Sequence, residues 1–169
     1  MSVFGRGKGA GEVQPPNRAA EPNRQVEIRA SGNTAHDDVL RSPTDPMKQL
    51  AASKYYAELG QLPQALASAF LALEWAHKAT VNQKDAIYAH VVDSLVKVGG
   101  LGVATSLGEA MVAAGGHFPA TWLRISQANA KRKDYQKALE NVDRALAAQP
   151  QFATALRHRS AVLKLMGKA

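Results

Sequence analysis

The sequence predicts an all-α solenoid of stacked helix pairs. A turn residue, followed two positions later by a large apolar residue and three positions after that by alanine, occurs in three places. These copies read Gly60-x-Leu62-x-x-Ala65, Gly99-x-Leu101-x-x-Ala104 and Lys133-x-Tyr135-x-x-Ala138. A fourth copy starts at Gly167, and successive copies are 39, 34 and 34 residues apart, a period typical of helical solenoids. Aromatic residues make up only 6% of the chain and alanine is plentiful, which favours close-packed helices over β-strands.

Seven helices follow from this period, with proline, glycine and short polar residues marking their ends. The predicted ranges are 46–58, 62–77, 84–98, 101–114, 119–132, 135–148 and 152–166. Thr44 or Asp45 is expected to cap the first helix, with Pro46 at its first position, where a missing N–H costs nothing. Asn82 and Asp134 are expected to cap the third and the sixth. The ranges form three helix hairpins and one last unpaired helix, which would cover the apolar side of the terminal repeat.

The chain divides into a tail, residues 1–44, and a helical domain, residues 45–169. The tail is rich in glycine, proline and polar residues. Its apolar residues are too sparse to offset an ordering cost of about 1–2 kcal/mol per residue, so it is expected to be disordered. Within it, residues 37–40 are interpreted as one helical turn or a short linear motif, and residues 27–29 as a short strand or docking element.

The net charge of +7 belongs to the last third of the chain. Residues 1–44 carry +1, residues 45–118 carry −1 and residues 119–169 carry +7. This basic part could attract an acidic peptide, an anionic surface or nucleic acid, although a solvated face that keeps the protein soluble is the simpler interpretation. The absence of cysteine excludes disulfides, thiolate metal sites and cysteine nucleophiles.

No targeting segment and no apolar run of about 20 residues is visible, which favours a soluble, cytoplasmic protein without a membrane span. None of the five histidines has a metal-like spacing to another ligand residue. No set of serine, histidine, lysine and acidic residues has a spacing that indicates catalysis. We therefore expect neither a metal, a cofactor nor an enzymatic activity.

At its best copy, residues 119–152, the chain resembles the tetratricopeptide repeat (TPR) family. The matching residues there are Trp122, Ser126, Tyr135, Ala138, Ala145 and Pro150. The resemblance extends over residues 46–169 and implies about three repeats plus a C-terminal capping helix, with the repeated alanines where the two helices of a pair cross. The second copy departs most, because Gly108 lies inside its second helix, where glycine costs about 0.5–1 kcal/mol. That helix is expected to be the least stable. Trp122 matches a packing position of the family, and Trp75 is expected in the core.

The resemblance also implies a concave groove, lined by the first helix of each pair, that holds a partner peptide. Carried over position by position, the candidate partner-binding residues are Lys54, Asp93, Lys97, Arg124, Gln127, Lys131, Arg157 and Lys164. The same positions also include small or apolar residues as contacts, namely Leu50, Ala57, Ala89, Val96, Leu123, Ala130 and Ala161. Asp93 and Lys97 are spaced for an ion pair within one helix. Such a groove suits a peptide with apolar anchors and some acidic residues.

The sequence thus predicts a non-enzymatic protein–protein interaction module, acting as a scaffold, adaptor or chaperone. Its size also resembles bacterial secretion chaperones of this family, which are usually acidic, whereas this chain is basic. The alternative is a structural subunit of a larger assembly whose N-terminal tail threads along neighbouring subunits. Nucleic-acid binding by the basic last third is the least favoured hypothesis, and the oligomeric state is not predicted.

Overall fold

The computed structural model describes residues 34–35, 37–113 and 115–168. The expectations for residues 1–33, including the short element at 27–29, therefore lie outside the described residues. Residues 34–35 and 37–41 are helical, so the helical turn that the sequence allowed at residues 37–40 is present. This turn is linked to the first long helix by Asp38, whose carboxylate lies 3.8 Å from the Lys48 ammonium. The division into tail and domain stays a prediction.

The chain from residue 46 onwards forms helices joined by short turns, and the described residues contain no strand. The long helices are α1 (Pro46–Glu58), α2 (Leu62–Glu74), α3 (Val81–Lys97), α4 (Leu101–Ala113), α5 (Pro119–Lys131), α6 (Tyr135–Ala148) and α7 (Ala153–Leu165). A 3₁₀ turn, Trp75–Lys78, follows α2. The all-α prediction is confirmed. The second predicted helix was too long, because its last part is this 3₁₀ turn.

The start of α3 corrects one predicted cap. The helix begins at Val81, and its cap is Thr80, not Asn82. The Thr80 hydroxyl accepts a hydrogen bond from the backbone N–H of Gln83 at 3.4 Å, and the Gln83 side-chain oxygen accepts one from the backbone N–H of Thr80 at 2.9 Å. This reciprocal capping box satisfies two N–H groups and fixes the helix start at Thr80, so that Asn82 lies inside the first turn. The other predicted caps are confirmed: Asp45 accepts from the first turn of α1, and Asp134 from that of α6.

The repeated turn residue has the same left-handed backbone in every copy. The φ angles are 74° at Gly60, 83° at Gly99, 65° at Lys133 and 68° at Gly167. In each turn the next residue donates its N–H to a carbonyl five residues back, as from Gln61 to Tyr56 at 2.9 Å. This hydrogen bond satisfies a carbonyl at the helix end and directs the chain into the second helix. The sequence pattern is therefore the signature of this turn.

The alanine of each copy lies at the crossing of its helix pair. Ala65, Ala104 and Ala138 are buried. In the first and third pairs a serine of the first helix bonds across the crossing: Ser53 and Ser126 donate to the carbonyls of Ala65 and Ala138, each at 2.6 Å. The second pair has the buried Val92 at the serine position. A side chain larger than alanine would separate the helices and break these bonds.

Gly108 has a packing role that its helix propensity does not reveal. A Cβ atom built on this residue would lie 2.7 Å from Cγ1 of Ile125 and 3.0 Å from Cγ2 of Val92. Both neighbours are completely buried. Glycine therefore lets α4 approach α3 and α5 closely, and the packing gain opposes the propensity cost on which the expectation of a weak helix rested.

Two layers of helices result. The first helices of the pairs form the inner layer, in which α3 packs against α5, whereas α2, α4 and α6 do not contact one another. The inner layer is thus the concave side. One core cluster joins α1 to α5, a second joins α5 to α7, and Trp122 packs against both. Trp75 is only half-buried, with the Lys78 ammonium 4.2 Å from its ring, so it is not a full core residue.

Candidate functional site

The inner surface carries a cavity of about 400 Å³ between α3, α5 and α7. Its volume falls within the range of about 300–1,000 Å³ that is usual for binding pockets. Four of its lining residues are charged or polar groups that the sequence predicted, and the others supply an apolar floor and one histidine. The lining residues are Asp93, Val96, Arg124, Gln127, Ala128, Ala130, Lys131 and His158.

The remaining predicted residues lie around this cavity. Lys54 on α1 and Lys97 on α3 are close enough to influence the titration of His90, which lies on the same inner surface. Arg157 and Lys164 are exposed on α7 and do not line the cavity. Arg157 instead lies within 3.5 Å of the Thr154 hydroxyl.

Three apolar positions carried over from the family pattern are corrected. Leu50, Ala89 and Leu123 are buried, with at most 8% of their surface exposed. Their side chains belong to the packing of the helices and are not available to a peptide. Val96 and Ala130, which the same family pattern placed on the groove, do line the cavity and are partly exposed.

The cations of the cavity are not neutralised by carboxylates of the described residues. Arg124 donates to the Gln127 side-chain oxygen at 2.9 Å, and neither Arg124 nor Lys131 forms an ion pair within the described part of the chain. The carboxylate of Asp93 pairs with Lys97 at 3.1 Å, as predicted. The cavity therefore has a cationic side formed by α5 and an already compensated acid on α3.

Two serine–histidine pairs connect consecutive inner helices. Ser53 Oγ lies 2.7 Å from His90 Nε2, and Ser126 Oγ lies 3.0 Å from His158 Nε2. Each serine already donates its proton to an alanine carbonyl, so its oxygen must accept from the Nε2–H of the histidine. The histidines are donors here and not bases. Neither pair activates its serine as a nucleophile, and both fasten one repeat to the next.

Both histidines are held in the neutral form near pH 7. Burial lowers the pKa of His90 to about 4, and the positive charge of Lys54 contributes in the same direction. Burial also lowers the pKa of His158. Because Nε2 carries the donated proton, Nδ1 is the unprotonated nitrogen of each ring.

A buried carboxylate orients α5, and with it Arg124 and Lys131. Asp85 on α3 accepts hydrogen bonds from the backbone N–H groups of Ala120 at 2.9 Å and Thr121 at 2.8 Å, and from the Thr121 hydroxyl at 2.7 Å. A carboxylate at a helix N-terminus satisfies free N–H groups and interacts favourably with the helix dipole. Asp85 thus caps a helix that begins 34 residues later in the chain.

Sequence reasoning missed Asp85 and the two histidines. A signal for the histidines was present, since His90, Arg124 and His158 are spaced by one repeat of 34 residues and so occupy the same position on successive inner helices. Asp85 carried no such signal, because its partners belong to another repeat.

Among residues 34–35, 37–113 and 115–168, no group of three or more histidine or acidic side chains is placed to hold a metal ion. No helix in the same ranges combines the length and the apolar character needed to cross a bilayer.

Comparison with known proteins identifies the fold. No protein-family model and no curated protein sequence matches the chain. Among solved structures, MamA superimposes with a TM-score of 0.64 at 12% identity, covering 90% of this chain and 86% of MamA. MamA from Desulfovibrio magneticus RS-1 gives 0.64 at 15% identity, with coverages of 86% and 80%. YrrB, described as a TPR protein with an unusual peptide-binding site, gives 0.57 at 12% identity, with coverages of 86% and 73%. At these identities the likeness concerns the fold, and the chain has the TPR-like helical solenoid that its sequence resemblance implied.

Proposed function

We propose that the protein is a non-enzymatic interaction module that binds an acidic peptide segment of a partner protein in its concave groove. The observation that carries this proposal is the cavity between α3, α5 and α7, where Arg124 and Lys131 lie without a carboxylate partner among the described residues. The likeness to TPR-like solenoids, including one described as having a peptide-binding site, supports an interaction role in general.

The chemistry of the lining defines the preferred peptide. A guanidinium and an ammonium bind carboxylates through charge-assisted hydrogen bonds, which are about twice as strong as neutral ones. The partly exposed Val96 and Ala130 accept a small or medium apolar side chain. Beyond the cavity, Leu165 stands at the repeat position of Lys131 and is 59% exposed, so it offers a further apolar contact on α7. The peptide therefore combines acidic residues with apolar anchors.

The test uses an array of 12-residue peptides that vary independently in acidic and apolar content, followed by fluorescence anisotropy with the best binders. Arg124→Glu combined with Lys131→Glu is expected to weaken binding at least tenfold, because each charge-assisted hydrogen bond contributes about 1.5–3 kcal/mol. Raising the salt concentration should weaken binding to the unaltered protein.

The matched control changes the charge equally at a distance from the groove. Lys84→Glu combined with Lys168→Glu alters two partly or fully exposed lysines that do not line the cavity. Its affinity should equal that of the unaltered protein, and both double variants should keep the same helical circular dichroism. If the groove variant binds the acidic peptides as well as this control does, the assignment of the groove is wrong.

A further inference from the structure

His158 brings a free hydrogen-bond acceptor to the cavity between α3, α5 and α7. Its Nε2–H donates to Ser126 Oγ at 3.0 Å, so the lone pair of the ring is on Nδ1. Nδ1 has no hydrogen-bond partner among the described residues, and it does not belong to the side-chain atoms that are buried without one. Because His158 lines the cavity, this nitrogen is accessible to a ligand there.

The other polar side chains of the lining offer a bound peptide fewer acceptors than donors. Asp93 already pairs with the Lys97 ammonium at 3.1 Å, and Gln127 Oε1 already accepts from Arg124 at 2.9 Å. The side chains of arginine and lysine are donors only. His158 Nδ1 is thus the acceptor group of the lining that accepts from no described residue.

The ring of His158 is held in place before any peptide binds. Its Nε2 is fixed by Ser126, whose own hydroxyl is fixed by the Ala138 carbonyl at 2.6 Å. Burial lowers the pKa of His158, so the ring stays neutral and keeps its lone pair near pH 7. One repeat earlier, the same two positions hold Val92 and Arg124, so this serine anchor is absent there. The lining therefore combines a fixed acceptor on α7 with cationic donors on α5.

A main-chain N–H is the peptide group that matches this acceptor. Every residue except proline carries one N–H, which loses its water in the cavity and then needs a partner. A carboxylate does not match, because its oxygens and the lone pair of Nδ1 repel each other. The carboxylate is bound on α5 instead, by Arg124 and Lys131, which have no carboxylate partner among the described residues.

We propose that His158 Nδ1 accepts a hydrogen bond from one main-chain N–H of the peptide that binds in the groove, and thereby sets the register of that peptide. This inference rests on the proposed function and goes beyond it. With the acidic side chain over α5 and the bonded N–H over α7, the bonded residue lies at a constant distance in sequence from the acidic one. Proline is excluded at the bonded residue.

The test exchanges single amide groups of the peptide for esters, which removes one N–H and nearly keeps the shape of the chain. The peptide is the tightest acidic binder of the 12-residue array, and each ester version is titrated against the full chain by fluorescence anisotropy. At one position the ester should lower the affinity about two- to tenfold, as expected for one hydrogen bond. With His158→Phe, which removes Nδ1 but not the bond from Ser126 to Ala138, the amide and ester peptides should bind equally.

His90→Phe is the matched control. His90 forms the same kind of pair, with Ser53 Oγ 2.7 Å from its Nε2, but it does not line the cavity. The loss of affinity caused by the ester should therefore persist in His90→Phe. A general effect of losing a serine–histidine pair would appear in both variants, whereas coupling to the ester should appear with His158→Phe alone.

A second measurement needs no substitution. In protein labelled with ¹⁵N at histidine, the resonance of the unprotonated Nδ1 of His158 should move when the amide peptide binds, and should move less with the sensitive ester. An ester effect that is unchanged by His158→Phe at every position, or an Nδ1 resonance that responds equally to both peptides, would overturn this proposal and leave the groove assignment intact. If no acidic peptide binds, or if binding does not depend on Arg124 and Lys131, the proposed function fails and this inference fails with it.

Discussion

Replacing Gly108 with alanine adds one methyl group at a crowded place on α4. The new Cβ would lie 2.7 Å from Ile125 Cγ1 and 3.0 Å from both Ile125 Cδ1 and Val92 Cγ2. Ordinary carbon contacts lie near 3.5–4.0 Å, so at least one neighbour has to move. Ile125 and Val92 are completely buried on two different helices and have little room to do so.

Two opposing effects set the magnitude of this change. Alanine in place of glycine inside a helix stabilises by about 1 kcal/mol. Overpacking a core by a methyl group costs about 1–3 kcal/mol, and the three short contacts place Gly108 in the upper part of that range. The net expectation is a destabilisation of about 1–2 kcal/mol, which lowers the melting temperature by several degrees for a domain of this size.

Gly102 provides the matched control, because it lies on the same helix and a Cβ there would meet no atom within 4 Å. Gly102→Ala is expected to leave stability unchanged or to raise it by up to about 1 kcal/mol. Urea unfolding followed by circular dichroism measures both variants. In the Ile125→Val background, which removes the Cδ1 contact, Gly108→Ala should cost less than it does alone.

The reasoning would be refuted by a Gly108→Ala variant that is as stable as Gly102→Ala. In that case the propensity cost inferred from the sequence would be the dominant effect at Gly108, and the close approach of α4 to α5 would be of minor energetic importance.

Two further predictions concern the links between repeats. Ser126→Ala removes both the hydrogen bond to the Ala138 carbonyl and the acceptor for His158, and should lower the free energy of unfolding in urea by about 1–3 kcal/mol. Ser160→Ala, at the same repeat position but exposed, should change it by less than about 0.5 kcal/mol. Equal effects of the two substitutions would contradict the role given to the crossing bond. The second concerns His90, whose pKa is held at about 4 in the folded state against a usual value of 6.5. Below pH 6.5 the unfolded state binds more protons, so the free energy of unfolding should fall as the pH drops from 6.5 towards 4. His90→Gln, which keeps a donor for Ser53, should reduce this dependence of the free energy of unfolding on pH. Urea unfolding curves at pH 7, 6 and 5 measure it, and an unchanged pH dependence in His90→Gln would contradict the prediction.

The cavity residues show how far the sequence reached into the candidate site. Asp93, Arg124, Gln127 and Lys131 were predicted from their repeat positions, and the structure brings them together around one cavity. Leu50 and Leu123 were predicted by the same positions and are buried. A repeat position fixes the direction in which a side chain leaves its helix, but the tilt of the neighbouring helix decides whether that direction ends in solvent or in packing.

The sequence by itself determined the helices, the turn at each repeated glycine or lysine and the alanine at each crossing. These features depend on hydrogen bonds and contacts within one helix pair, such as the bond from Ser53 to Ala65 twelve residues later, so a short stretch of chain specifies them. Only the tertiary structure decided the capping of α5 by Asp85, the serine–histidine pairs and the cavity between α3, α5 and α7. The hydrogen-bonding partners of Asp85 and of the two histidines are 32 to 37 residues away in the chain and belong to different repeats. Such contacts depend on how one pair stacks on the next, and that stacking is set by the sum of many packing contacts, which no local pattern records.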